Sequence, residues 1–332
     1  MNARRLIPTA TLAGAVTLGL VALSACSSSD AATKKSGDKL AVTASFYPMQ
    51  FLAERIGGDH VSVTTLTKPG VEPHDLELSP RQAAQLGEAD VILYLKGIQP
   101  AVDEAITQSG VQNTVDATSL TTLEKHGTEV GHSHDDGHAD GADGHADEES
   151  HAGEESSLDG KDPHIWLDPV KYAEVAKGVG ASLEKADPDN SATYRKNTDA
   201  LVKQLGGLDT AFKQGLADTT TKTFITTHAA FGYLAERYGL TQEAIAGLDP
   251  ESEPTPARVK ELETIAEHDK VGTVFFETLA SDKTAKTIAA DSGLKTDVLD
   301  PLEGITDKSK GDDYIEVMNS NLAALRKALG AK

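Results

Sequence analysis

Three histidines of this chain stand in short loop-type contexts suited to metal ligation: Glu72-Pro73-His74-Asp75, Asp162-Pro163-His164-Ile165 and Thr226-Thr227-His228-Ala229. Six more, His126, His132, His134, His138, His145 and His151, crowd between the first two among many Asp and Glu residues. Neutral imidazole is the commonest protein ligand for a borderline-soft divalent cation, and carboxylates complete such sites. A chain that spends most of its eleven histidines this way handles a transition metal. The Pro-His steps at 74 and 164 stiffen their loops and lower the entropy cost of holding an imidazole in place. His60 and His268 lack such contexts and read as surface residues.

The elements that must position these side chains alternate between strand and helix. Residues 40–45, 61–66 and 91–95 read as strands, and 47–56 and 80–86 as helices. Ser79-Pro80-Arg81-Gln82 carries the cap, the first-turn proline and the Gln of a helix start. Asp168-Pro169 opens a helix to about 185. Leu201, Leu205, Leu208, Phe212 and Leu216 then recur at steps of three and four along residues 189–216, the apolar stripe of one long helix. The second half repeats the pattern, with strands at 223–227, 272–277 and 296–299 and helices at 229–238, 256–268, 281–291 and a final one marked by residues from Tyr314 to Leu329. Such alternation predicts α/β architecture: two αβ lobes with central parallel sheets, joined by a rigid helix.

Ligands of open α/β sheets bind past the carboxyl ends of strands. His74, His228 and Asp300 follow predicted strands, and His164 precedes a helix, so the four should meet in the cleft between lobes. Three imidazoles and a carboxylate suit Zn²⁺, with bonds of roughly 2.0–2.2 Å. Mn²⁺ prefers more oxygen ligands, although copper and nickel also favour imidazole.

The rest of the chain bounds the setting. Arg4 and Arg5, the apolar stretch 6–23 and Leu23-Ser24-Ala25-Cys26 read as a secretion signal over residues 1–25 ending in a lipobox, with Cys26 as the lipidated mature N-terminus and residues 26–38 as a tether. Cys26 is the only cysteine, so disulfides and thiolate metal sites are excluded. A formal charge of −21 argues against nucleic acid or an anionic membrane as partner. Residues 124–162 have almost no large apolar side chain and are expected to form a mobile loop, whose histidines capture Zn²⁺ weakly near the cleft. The divisions expected are a first lobe at 39–187 containing that loop, a linking helix at 188–217 and a second lobe at 218–332. Neither a His-Glu-x-x-His helix nor a Gly-x-Ser-x-Gly elbow is present, and no enzymatic activity is expected.

Four stretches together resemble one family: Gly70-Val71-Glu72-Pro73-His74, Asp162-Pro163-His164-Ile165-Trp166-Leu167-Asp168-Pro169, Thr227-His228-Ala229-Ala230-Phe231-Gly232-Tyr233-Leu234 and Leu299-Asp300-Pro301-Leu302-Glu303-Gly304. They look like the zinc and manganese solute-binding proteins of bacterial ABC importers, closest to the ZnuA-like zinc branch, and the likeness runs from about residue 39 to 332. The resemblance implies two pseudo-symmetric lobes with the metal between them and His74, His164 and His228 as ligands. Asp300 matches the usual carboxylate position, with Glu303 a rival, Glu72 and Glu277 weaker ones, and Glu277 better suited to backing an imidazole. It further implies a monomeric extracytoplasmic receptor, lipid-anchored through Cys26, that delivers Zn²⁺ to a permease driven by a cytoplasmic ATPase. Manganese receptors of the same family and metal-dependent surface adhesins are the alternative readings.

Overall fold

The computed structural model describes residues 39–126, 158 and 160–332. The signal segment, Cys26, the tether and the histidines at 132, 134, 138, 145 and 151 lie outside these residues.

The first half contains β1 (Leu40–Ala44), α1 (Tyr47–Gly57), β2 (Val61–Thr65), α2 (Pro80–Leu86), β3 (Val91–Tyr94), α3 (Pro100–Ser109) and β4 (Thr114–Asp116), followed by α4 (Pro169–Ala186). The 25-residue α5 (Ser191–Gly215) leads to the second half. There follow β5 (Thr223–Thr226), α6 (Gly232–Tyr238), β6 (Thr241–Ala244), α7 (Pro256–His268), β7 (Thr273–Phe276), α8 (Lys283–Ser292), β8 (Lys295–Val298) and α9 (Tyr314–Ala328). Each half holds a four-stranded, all-parallel sheet, and the two strand orders correspond: β2-β1-β3-β4 and β6-β5-β7-β8. The central strands are apolar on both faces, as a sheet covered by helices requires; Val91, Ile92 and Leu93 are all buried.

The expected stripe on the long helix is the face that packs. Leu201, Leu205, Leu208, Phe212 and Leu216 are buried against α1, α4 and α9, each such leucine contributing about 1.5–3 kcal/mol of apolar transfer. The capping box at Ser79 and Gln82 forms, and Gln82 Nε2 also donates to Leu66 O at 2.9 Å. That bond ties α2 to the start of the loop carrying His74.

One apolar core runs through both halves. Tyr314, at the start of α9, is fully buried in the first half, with ring centroids 5.3 Å from Phe51 and 4.7 Å from Tyr172. Its hydroxyl donates to Trp166 O at 2.5 Å. Tyr314→Phe leaves that buried carbonyl without its donor and is expected to cost about 1–3 kcal/mol, read as a lowered Tm in thermal unfolding at unchanged helix content.

Three expectations need correction. The helix expected from residue 229 begins at Gly232, because Ala229 N–H donates outward to Gly247 O at 2.8 Å instead of entering a helical turn. The edge strands β4 and β6 and the helix α3 were not foreseen. Thr241–Ala244 has the polar sequence TQEA, and edge strands carry little apolar signal. Lastly, the loop expected to be mobile from 124 to 162 is held at both roots. Asp162 N–H donates to Glu124 O at 2.9 Å, and Leu158 is buried. Among the described residues no helix is long and apolar enough to cross a membrane.

Candidate metal centre

The three loop histidines converge. Their ring centroids lie 5.6 Å apart for His74 and His164, 6.2 Å for His74 and His228, and 5.3 Å for His164 and His228. The fourth group is Glu303. Its Oε1 lies 3.2 Å from His74 Nε2, 3.2 Å from His164 Nε2 and 3.4 Å from His228 Nε2. One ligand atom from each of these four residues lies within 4.8 Å of all the others. His164, His228 and Glu303 are fully buried, and His74 keeps a side-chain exposure of 12 %, so it marks the mouth of the cleft.

Two of the rings, His164 and His228, are aimed from behind. His164 Nδ1 lies 2.7 Å from Asp162 Oδ1, and the same oxygen accepts the His164 backbone N–H at 2.9 Å. His228 Nδ1 lies 2.5 Å from Glu277 Oε1, which also accepts from the Thr227 hydroxyl. A carboxylate behind each ring accepts the Nδ1 hydrogen, so each Nε2 is aimed inward and binds a cation once its own proton has left, the arrangement that fixes metal-binding imidazoles. Gln242 Nε2 and Thr226 Oγ1 both donate to His228 O, at 2.9 and 2.7 Å, and anchor its backbone. Glu277 therefore occupies the backing position expected of it.

Asp300, the carboxylate expected in the set, does not join the cluster. Its Oδ1 accepts Leu302 N–H at 2.8 Å and its Oδ2 accepts from the Thr278 hydroxyl at 3.2 Å. Its backbone is clamped by Asn321, whose Oδ1 accepts Asp300 N–H at 2.9 Å and whose Nδ2 donates to Asp300 O at 2.7 Å. Asp300 thus builds the turn that delivers Glu303. Leu302 sits in that turn with φ +59°, a left-handed backbone that a branched side chain adopts only under constraint. Trp166 Nε1 donates to Pro301 O at 2.7 Å, pinning the Glu303 turn to the loop of His164. A left-handed leucine has no sequence signature, so a strand-end reading stops three residues short.

The electrostatics suit a dication. Burial pushes Glu303 upward, but the summed pull of His228, His164 and His74 carries it well below the usual carboxylate range. Burial lowers His228, yet Glu277 and Glu303 outweigh it and hold the ring well above the ordinary imidazole value. The same balance, with burial opposed by Asp162 and then Glu303, raises His164. Burial, then the charge of Glu303, pushes Glu72 up to about 9, so it stands neutral beside the cluster at neutral pH, with Oε1 accepting His74 N–H at 3.2 Å. His228 Nε2 and Glu303 Oε2 are buried without hydrogen-bond geometry to any described group. Such atoms are costly in isolation, and coordination to a cation satisfies both at once.

Two parallel-sheet halves closing on three imidazoles and a carboxylate define a cleft-type metal-binding protein. The chain belongs to the ZnuA family, zinc-uptake complex component A, periplasmic, whose family model matches residues 42–328. The high-affinity zinc uptake system protein ZnuA of Bacillus subtilis (strain 168) is 36% identical over 319 residues, 94% of this chain and 95% of that protein. The zinc-binding lipoprotein AdcA of Streptococcus pneumoniae serotype 4 is 36% identical over 299 residues, 88% of this chain but 56% of AdcA, so the chain spans little more than half of that relative. Among solved structures, the Zn(II)-bound ZnuA-like domain of S. pneumoniae AdcA matches with TM-score 0.69 at 33% identity, over 88% of this chain and 99% of that one. The laminin-binding protein Lmb of Streptococcus agalactiae, described as bifunctional with adhesin and metal transporting activity, matches with TM-score 0.73 at 29% identity, over 87% of this chain and 99% of that one.

Proposed function

We propose that this protein is an extracytoplasmic receptor that captures one Zn²⁺ between its halves through His74, His164, His228 and Glu303, and delivers it to an ABC-type permease driven by a cytoplasmic ATPase. The ion is cargo and undergoes no chemical change. The observation that carries this reading is the convergence of three Nε2 atoms and one carboxylate oxygen in a buried cleft, with ligand atoms within 4.8 Å of one another. A nitrogen-rich set favours Zn²⁺ over Mn²⁺. If Glu303 closes the coordination sphere, no position remains for a reactive water, which supports binding over catalysis. Anchoring through a lipid on Cys26 and action as a monomer complete the proposal.

A crystal grown with Zn²⁺ and measured at the zinc absorption edge tests the site. One anomalous peak bounded by the four named side chains is expected, and a peak elsewhere with none in the cleft refutes it. A deletion strain that grows poorly at limiting zinc, and recovers with added zinc or the intact gene, supports uptake over adhesion. Normal growth with lost adhesion reverses that conclusion.

A further inference from the structure

A second cluster of ligating atoms lies behind the first. One ligand atom each from Glu124, His126 and Glu236 lie within 4.8 Å of one another. His126 Nε2 is 3.0 Å from Glu236 Oε2, while its Nδ1 is 3.1 Å from Asp162 Oδ2. Asp162 is fully buried, and its other oxygen backs His164. A single carboxylate therefore orients two imidazoles whose Nε2 atoms face two different places. The His126 ring is seated edge-on against Tyr233, with centroids 4.4 Å apart and an interplanar angle of 77°. Its seat depends on Gly232: a Cβ there would lie 2.3 Å from His126 Cβ. Tyr233 also fixes the backbone of the cluster, accepting from Glu124 N–H at 2.8 Å and donating to Asp162 O at 2.8 Å. Glu236 is exposed at its tip, and a cavity of about 260 Å³ lined by Glu124, Asp168, Lys171, Tyr233, Glu236 and Arg237 adjoins the cluster.

We infer that Glu124, His126 and Glu236 form a second site for a divalent transition cation, built on the ordered root of the histidine-rich tract and sharing Asp162 with the cleft. The chemistry follows from the donors. Backing by a buried carboxylate holds the imidazole with one nitrogen outward, as metal-binding histidines are held. Glu236 faces that nitrogen and Glu124 places a ligand atom within 4.8 Å of the other two residues, so two carboxylates can supply oxygen ligands, leaving further positions to water. The site is weaker than the cleft for three reasons visible in the structure. It offers one imidazole instead of three, Glu236 is solvated, and Lys171 Nζ at 2.7 Å holds one oxygen of Glu124 and adds positive charge. A carboxylate has two oxygens, so Glu124 can serve the ammonium and a cation together.

Zn²⁺ titration of the full mature chain by calorimetry tests this, in a parent variant carrying His132→Ser, His134→Ser, His138→Ser, His145→Ser and His151→Ser so that the tract itself contributes nothing. Two ions are expected, the second bound roughly a hundredfold or more weakly than the first. Adding Glu236→Gln, at an exposed position, should weaken the second by about tenfold or more and leave the first unchanged. Adding His126→Ala should abolish the second alone. Asp162→Asn should weaken both, because it backs both rings. One ion in the parent, or a second ion indifferent to Glu236→Gln and His126→Ala, overturns the inference. Loss of the tight ion alone in the parent would refute the cleft reading and leave this one standing, so the two fail separately.

Discussion

His164→Ala is expected to lower Zn²⁺ affinity by at least about a hundredfold. Removing a group that only orients a ligand typically costs 10–100-fold in affinity, and His164 is proposed to be a ligand itself, so the upper end of that range is a floor. The ring is fully buried, so water cannot take its place without opening the cleft. The substitution also leaves Asp162 facing a cavity with His126 as its remaining imidazole. Competition calorimetry against a chelator of known affinity measures the loss, with circular dichroism confirming the fold. Glu303→Gln should lose a comparable amount. Asp300→Asn should change affinity by less than about tenfold, since an amide oxygen can still accept Leu302 N–H and hold the turn. Wild-type affinity in His164→Ala would sink the ligand assignment, and a larger effect at Asp300 than at Glu303 would reverse the assignment of the carboxylate.

The second large effect is on pH dependence. His164 and His228 are held above the ordinary imidazole value of about 6.5 in the metal-free cleft. Raised values mean that protons stay on these rings to higher pH than on free imidazole. Each must leave before its nitrogen can bind Zn²⁺, so binding releases protons and affinity falls as pH falls. The decline should therefore begin above pH 6.5 and steepen through it, dropping roughly tenfold per pH unit for each proton displaced. Glu303 is held low and does not add to the loss in this range. Calorimetry in two buffers of different ionisation enthalpy, repeated from pH 8 to 5.5, measures both the proton count and the onset. Flat affinity down to pH 6, with no proton release, would show that the rings are neutral in the free cleft.

The two effects bear on what was legible in the amino-acid order. The stripe from Leu201 to Leu216 has a period that only a helix makes one-sided, so α5 could be read directly. His74, His164 and His228 could be read because each sits beside a strand end or helix start, where side chains of parallel sheets collect. Glu303 could not be separated from Asp300. Its placement depends on the left-handed Leu302 and on bonds from Asn321 and Trp166, partners 21 and 135 residues from Asp300 and Pro301. His126 had the same difficulty. It reads as one of a polar run, and only the fold brings Gly232, Tyr233 and Asp162 around it. Contacts of long sequence separation carry no local pattern, and both residues depend on them.

The placement of Tyr314 has a consequence for how the chain is made. A polypeptide emerges from its N-terminus, and leading segments ordinarily fold first. Here the aromatic cluster of Phe51 and Tyr172 stays open on one side until α9 is made, with Tyr314 following Tyr172 by 142 residues. The leading half must wait, partly assembled, for α9 to close it, and a nascent chain released before α9 would present that unfilled apolar surface to its neighbours.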